Sequence, residues 1–154
     1  MKLASYVADG KACFGVVTGD GVVTLNQRLG YASLREALTA GGLAEIRKAA
    51  DAAKPDHKQA DVKWLPVIPN PEKILCAGIN YRSHAAETGR ELPKQPSMFI
   101  RLANTLTGHD GEMIRPAASQ SFDFEGELAV DIARGGRHIP VSYTHLTLPT
   151  ILLV

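Results

Sequence analysis

The acidic stretch of residues 123–132 gives the clearest indication of the fold, and it reads Asp123-Phe124-Glu125-Gly126-Glu127-Leu128-Ala129-Val130-Asp131-Ile132. Side chains of a strand alternate between its two faces, so a strand here would have one apolar and one acidic face. The apolar face would carry Phe124, Leu128, Val130 and Ile132, and the acidic face Asp123, Glu125, Glu127 and Asp131. This alternation predicts a β-strand.

Two carboxylates of this stretch are candidates for binding a metal ion. Glu125 and Glu127 would lie roughly 7 Å apart along the strand, close enough to bind one ion. No Lys or Arg shares their face, and like charges on one face of a sheet destabilise it unless something compensates. A hard divalent cation such as Mg²⁺, Mn²⁺ or Ca²⁺ would compensate, whereas a solvated acidic face is the alternative.

The composition is typical of a soluble globular protein, because 45% of the 154 residues are hydrophobic and 21% are charged. The net charge of +1 and the lack of a basic run argue against nucleic acid or a membrane as partner. Cys13 and Cys76 lack metal-ligand or redox spacing, which predicts two buried thiols in a reducing compartment. No segment resembles a signal peptide or a membrane span, so we expect a cytoplasmic protein.

Residues 1–69 are predicted to form a small αβ domain. Three strands separated by turn residues are predicted at residues 3–7, 12–18 and 22–25. Ser33 and Glu36 have the spacing of a capping box, for a helix that ends at Gly41-Gly42. A second helical stripe follows at residues 43–50, and prolines then mark a domain boundary.

A short helix with two chemically interesting side chains is predicted next, with Asn80 or Ser83 as its N-cap and Gly89 at its end. His84 and Glu87 stand three residues apart on this helix and face the same way. A carboxylate fixes the tautomer of a neighbouring imidazole, so the pair is a candidate general base for activating water. An exposed His–Glu pair without a catalytic role has the same spacing and is the alternative.

Two further strands flank this helix in the sequence, a buried one at residues 73–79 and another at residues 97–101. Arg101 ends the second strand, where a loop begins. Because arginine can hold a carboxylate with two parallel hydrogen bonds, Arg101 is a candidate for binding substrate. An ordinary surface arginine is the alternative. A turn is predicted at residues 108–111.

Taken together, these motifs resemble the fumarylacetoacetate hydrolase family over roughly residues 71–141. The matching segments are Lys73-Ile74-Leu75-Cys76-Ala77-Gly78-Ile79-Asn80-Tyr81, His84-x-x-Glu87, Met98-Phe99-Ile100-Arg101 and Asp123-Phe124-Glu125-Gly126-Glu127-Leu128-Ala129. The resemblance implies a β-rich α+β fold. A small N-terminal αβ domain at residues 1–69 would precede the first part of a mixed β-sheet roll at residues 70–141.

The resemblance also implies site residues. It assigns metal binding to Glu125 and Glu127, catalysis to His84 with Glu87, and substrate binding to Arg101 and Tyr81. Arg101 keeps the charge of the lysine that many members have at this place, but not its geometry. The metal, Mg²⁺ in first place and Mn²⁺ or Ca²⁺ otherwise, would chelate a 2-oxo acid and stabilise its enolate while His84 acts as base.

The activity that the resemblance implies is that of a metal-dependent hydrolase or lyase. It would cleave a C–C bond of a 2-oxo or diketo acid, such as an acylpyruvate or fumarylpyruvate, or decarboxylate it. The alternatives are an isomerase or hydratase of dienoic acids in aromatic catabolism and a non-catalytic remnant of the fold. The expected partners are the small oxo-acid substrate and, in the full-length protein, a second copy in a homodimer.

The end of the chain departs from the family pattern. The family has a third carboxylate ligand, an aspartate on a later strand, and the chain ends before it. Residues 142–154 resemble the tails that adapter read-through leaves on assembled environmental sequences, so we interpret them as non-native. A genuine short β terminus is the alternative. If residues 142–154 are non-native, we expect this chain to bind Mg²⁺ weakly and to show no turnover.

Overall fold

The computed structural model describes residues 1–122, 127–132 and 136–140. They form two compact units, of which unit 1 comprises Met1–Ile68 with the described residues from Thr107 onward, and unit 2 comprises Pro69–Leu106. Antiparallel sheets with a few helices confirm the predicted α+β class. The predicted division into domains at 1–69, 70–141 and 142–154 stays a prediction.

Unit 1 is built on a four-stranded antiparallel sheet. Its strands are β1 (Lys2–Ala8), β2 (Lys11–Val17), β3 (Val22–Thr24) and β4 (Lys63–Trp64), in the order β3-β2-β1-β4. The β1–β2 hairpin turns at Asp9-Gly10, where both residues have positive φ, as a tight two-residue turn requires. The three strands predicted before residue 26 are thus confirmed.

Three helices pack on one face of this sheet: α1 (Asn26–Leu29), α2 (Leu34–Thr39) and α3 (Leu43–Asp51). The Ser33 hydroxyl accepts a hydrogen bond of 3.2 Å from the Glu36 N–H, which confirms the predicted start of α2. The Glu36 carboxylate reaches back to the N–H of Ala32, at 2.7 Å. Gly41, with φ of +76°, follows the end of α2 as predicted.

The core of unit 1 covers both faces of the sheet. On the helical face, Leu3 and Phe14 pack with Ile46 of α3. On the other face, the fully buried Tyr6 meets Trp64 edge to face, with ring centroids 6.0 Å apart. The Tyr6 hydroxyl lies 2.9 Å from Thr24 Oγ1, and burial raises the pKa of this phenol.

Asp56 joins the segment after α3 to α1 through an ion pair and to β3 through a backbone hydrogen bond. Arg28 Nη1 and Nη2 donate to the two carboxylate oxygens of Asp56 at 2.6 and 2.9 Å, and the Thr24 N–H donates to the same carboxylate at 2.7 Å. The hydrogen bonds from Arg28 hold the pKa of the Asp56 carboxyl below its usual value of 3.8. Val22 and His57 form a backbone bridge beside this pair.

Unit 2 is smaller and consists of a β-hairpin interrupted by a helix. β5 (Ile74–Gly78) pairs antiparallel with β6 (Ser97–Arg101), and α4 (Arg82–Glu87) lies between them in the sequence. Short 3₁₀ helices occur at Gln59–Asp61 in unit 1 and at Ala103–Thr105 in unit 2. The predicted strands and helix of this part of the chain are confirmed.

Two details of the predictions for unit 2 are wrong. β5 is not a buried strand, since Leu75 is 61% exposed and a two-stranded sheet offers its faces little to pack against. Neither Asn80 nor Ser83 caps α4, whose N-cap is Tyr81 without a side-chain cap bond. The chain turns sharply at Ile79 and is still extended at Tyr81, so the helix begins only at Arg82.

The acidic strand is also not found in the part of it that the structure describes. Residues 127–132 form no strand, and Leu128 and Ile132 are 53% and 80% exposed. A strand requires a neighbour for its backbone hydrogen bonds, and no described strand pairs with this segment. Residues 123–126 and the proposed tail lie outside the described residues.

Smaller predictions have mixed outcomes. The turn at residues 108–111 is confirmed by a 2.9 Å hydrogen bond from the Gly111 N–H to the Gly108 carbonyl. Cys13 and Cys76 are free thiols as predicted, but each is only partly buried. Within the described ranges, no helix has the length and apolar character needed to cross a membrane.

The Arg28–Asp56 pair predicts a pH dependence of stability. We expect Asp56→Asn to lower the free energy of unfolding by up to about 1 kcal/mol at neutral pH, since the pair is partly exposed. A carboxyl with a lowered pKa stabilises the fold above its unfolded pKa, and this contribution disappears as the pH falls through the folded value. In urea titrations at several pH values, the difference between variant and parent should therefore begin to shrink below about pH 4 and close at lower pH, below the folded pKa.

The control for this prediction is Asp20→Asn, which removes an exposed turn carboxylate with no ion pair among the residues described. It should change the stability equally little at every pH. A difference for Asp56→Asn that persists undiminished into acid would contradict the assignment.

Candidate functional site

The predicted His–Glu pair lies on α4. His84 Nδ1 is 3.9 Å from Glu87 Oε2, so the two side chains face each other as the i, i+3 spacing predicts. This distance allows electrostatic attraction when the imidazole is protonated, but it is longer than a hydrogen bond. The side chain of His84 is 34% exposed and that of Glu87 81% exposed, so the pair is open to a small molecule. Its catalytic role stays a prediction.

The C-terminal end of α4 is closed by a Schellman motif. Gly89 has φ of +64°, the Arg90 N–H donates to the Ala85 carbonyl at 2.9 Å, and the Gly89 N–H donates to the Ala86 carbonyl at 3.2 Å. The predicted end of the helix at Gly89 is confirmed. This motif satisfies the last carbonyls of a helix of only six residues, and so helps to fix the turn that carries His84 and Glu87.

The start of α4 is fixed by an unusual backbone conformation. Ile79 has φ of +53°, which is rare for a β-branched residue and costs on the order of 1–3 kcal/mol. It redirects the chain from β5 through Asn80 and Tyr81 into the helix. The half-exposed Tyr81, a predicted substrate-binding residue, is the last extended residue before α4. Nothing in the sequence signals this turn, because isoleucine is among the residues least expected there.

Arg101 lies at the far end of the β5–β6 ladder. It pairs with Ile74, whereas the chain leaves β5 towards α4 at Gly78, which pairs with Ser97. The two ends of the ladder are therefore about 13 Å apart along the strand. Arg101 is exposed. Its assignment to substrate binding stays a prediction.

The predicted metal ligands are only partly described. Glu127 is exposed and belongs to unit 1, whereas Glu125 lies outside the described residues. Across residues 1–122, 127–132 and 136–140, no three His, Cys, Asp or Glu side chains form a group that could hold a metal ion.

The described residues form an α+β fold, in which the helix between the two strands of an antiparallel ladder carries a His–Glu pair. The family model for the C-terminal domain of fumarylacetoacetate (FAA) hydrolase matches residues 73–145. The chain belongs to the fumarylacetoacetate hydrolase family, and it carries part of that domain.

Individual relatives agree with this membership. The human mitochondrial protein named oxaloacetate tautomerase FAHD2A is 32% identical over 131 residues, which are 81% of this chain and 42% of the relative. An uncharacterized protein from Archaeoglobus fulgidus is 43% identical over 79 residues, or 51% of this chain and 31% of that protein. The chain thus spans about two fifths of the length of the human relative.

A solved structure supports the fold. The crystal structure of a protein from Mycobacterium smegmatis, provisionally named HpcE, matches with a TM-score of 0.56 and 25% sequence identity. The match covers 73% of this chain and 40% of the other. The relatives that are named oxaloacetate tautomerase are enzymes, and members of the family generally use divalent metals.

The Schellman motif predicts a specific role for Gly89. We expect Gly89→Ala to destabilise α4 by about 1 kcal/mol, because a Cβ is unfavourable at positive φ. Amide exchange of Thr88 and Arg90, whose N–H groups donate within this last turn, should then be about fivefold faster.

Gly89→Asn is the matched control, because asparagine tolerates positive φ better than alanine does. It should accelerate exchange clearly less than Gly89→Ala. Equal effects of the two substitutions would show that the backbone conformation of Gly89 is not what holds the helix end.

Proposed function

We propose that this chain is part of an enzyme that forms the enolate of a 2-oxo or diketo acid, with His84 as the proton-transferring base. The observation that supports this proposal is the pairing of His84 with Glu87 on α4. Nδ1 is the ring nitrogen that faces the carboxylate, so we assign proton transfer to Nε2. Glu87 would hold the imidazole orientation and stabilise the imidazolium that forms when the proton is taken.

Tautomerisation of a 2-oxo diacid is one reaction that this base could perform. The base would remove a proton from the carbon beside the keto group, and a proton would then be delivered to the keto oxygen, so that no atom is gained or lost. The specific support is the name oxaloacetate tautomerase, carried by a relative that matches 81% of this chain.

Cleavage of a C–C bond is the second candidate, and it is supported by the hydrolase after which the family model is named. In that reaction His84 would take a proton from water, the resulting hydroxide would add to a carbonyl carbon, and the C–C bond would break. The enolate that leaves would then be protonated. Both candidates require a positioned base and stabilisation of an enolate, so the same dyad serves either of them.

The enolate-stabilising group that we propose is Mg²⁺, with Mn²⁺ or Ca²⁺ as alternatives and with Glu125 and Glu127 as two of its ligands. Such an ion supplies Lewis acidity that polarises the 2-oxo group. Carboxylate oxygens are suitable ligands for these hard cations. We further propose Arg101 and Tyr81 as substrate-binding residues, and a homodimer as the assembly of the full-length protein.

The role of His84 is tested by turnover in the full-length protein, because the chain spans only about two fifths of its human relative. With Mg²⁺ present, His84→Ala should lower kcat at least ~100-fold, whether oxaloacetate enolisation or acylpyruvate cleavage is followed. The affinity for Mg²⁺ should remain nearly unchanged, since His84 is not a proposed ligand.

A matched control exists in the chain itself. His109 stands beside Asp110, with 3.6 Å between Nε2 and Oδ2, and both side chains are highly exposed. His109→Ala should leave kcat unchanged. Turnover that survives His84→Ala would exclude His84 as the base, and the ratio of the two substrate rates would decide between the candidate reactions.

The metal assignment can be tested on the chain as given. Two carboxylates alone hold Mg²⁺ weakly, so calorimetric titration should give a dissociation constant on the order of millimolar. Glu125→Gln and Glu127→Gln should each abolish this binding, whereas Glu112→Gln, which removes another exposed carboxylate, should not. Binding that survives both of the first two substitutions would refute the proposed ligands.

A further inference from the structure

Unit 2 contains a groove that the predicted site does not use. Its volume is about 320 Å³, and it lies between the end of β5 and the loop that precedes β6. Gly78, Ile79 and Asn80 form one side, and the loop contributes Lys94 and Gln95. This volume is at the lower end of the range of small-molecule sites in proteins.

The loop side of the groove has a restricted backbone. Pro93 and Pro96 flank Lys94 and Gln95, and all four residues line the groove. Proline fixes its own φ and also restricts the residue before it. On the opposite side, Ile79 is held at positive φ. Both sides of the groove therefore include backbone with restricted φ angles, and the loop side has no regular secondary structure.

The charges that line the groove are all positive. Arg82 and Lys94 both contribute to it, and no Asp or Glu does. Neither cation has an ion pair with any residue that the structure describes. Two like charges beside one groove repel each other, so an anion bound between them would be favoured. Asn80 and Gln95 add amide groups that can donate hydrogen bonds.

The groove is separate from the His–Glu pair. Arg82 and His84 are two residues apart on α4, and residues at this spacing do not face each other. Neither His84 nor Glu87 lines the groove. A ligand in the groove would nevertheless contact Ile79, Asn80 and Arg82, which lead the chain into the helix that carries the pair.

We propose that this groove binds a small dianion, a dicarboxylate or inorganic phosphate, at a site distinct from the His–Glu pair. Arg82 supplies a planar fork of donors that matches carboxylate and phosphate oxygens, and Lys94 supplies a compact second charge. A dianion is favoured over a monoanion because it neutralises both cations. The bound anion would contact both the loop before β6 and the start of α4.

The test is an NMR titration of the ¹⁵N-labelled chain at constant ionic strength, without divalent metal, so that binding through a metal does not contribute. Malonate, inorganic phosphate and acetate are the probes. At least one dianion should give saturable shifts of the amide signals of Ile79, Asn80, Lys94 and Gln95, and acetate should bind at least tenfold more weakly. The dianion that binds more tightly identifies the class of ligand.

Charge variants complete the test. Arg82→Gln and Lys94→Gln together should weaken dianion binding at least tenfold, and each alone should weaken it measurably. Arg90→Gln removes an exposed cation that follows α4 and does not line the groove, so it should leave the affinity unchanged. Unshifted signals outside the groove show that each variant remains folded.

Three results would overturn the proposal: shifts that do not saturate, equal affinity for acetate and the dianions, or an effect of Arg90→Gln as large as that of Arg82→Gln. The last would mean that the anions respond to the general positive charge of this region. None of these measurements depends on turnover, so the outcome is independent of the proposed enzymatic function.

Discussion

Backbone pairing between strands is the constraint on which this structure depends. β1 pairs with β2 through a two-residue turn, but it also pairs with β4, more than fifty residues later in the chain. In unit 2, β5 and β6 pair across the whole of α4 and the loop after it. An extended segment cannot satisfy its own N–H and C=O groups, so its partner decides whether it becomes a strand.

This dependence explains which predictions from the sequence succeeded. The turn at Asp9-Gly10, the Ser33 cap of α2 and the glycine after α4 depend on neighbouring residues, and the structure contains all three. The strands predicted between turn residues, β1 to β3, were correct, and partners exist for them. The alternation of apolar and acidic side chains at residues 127–132 gave no strand, since no described strand pairs with this segment. The alternation of apolar and polar side chains indicates which faces a strand would have, but not whether another strand pairs with it.

In the candidate site, too, features set by neighbouring residues were predictable and features set by strand pairing were not. The approach of His84 to Glu87 follows from helical spacing, and the sequence was sufficient to predict it. The position of Arg101 depends on the register of β5 against β6, which spacing along the chain does not contain. The positive φ of Ile79 and the two cations of the groove were not predicted either. For the groove, the sequence does contain a signal, because Pro93-Lys94-Gln95-Pro96 is a restricted segment with a basic residue.

The energetics of α4 indicate why its two ends matter more than its charged pair. A helix of six residues is far below the length at which an isolated helix is stable in water. The attraction of His84 for Glu87 adds little, because Glu87 is largely exposed and solvent screens exposed pairs to about 0–1 kcal/mol. The helix therefore depends on the burial of Ala85, on the closed C-terminal turn at Gly89 and on the turn at Ile79. Ile79, three residues before the first residue of α4, therefore fixes where the helix begins at a cost in free energy, and the short helix itself returns little of that cost.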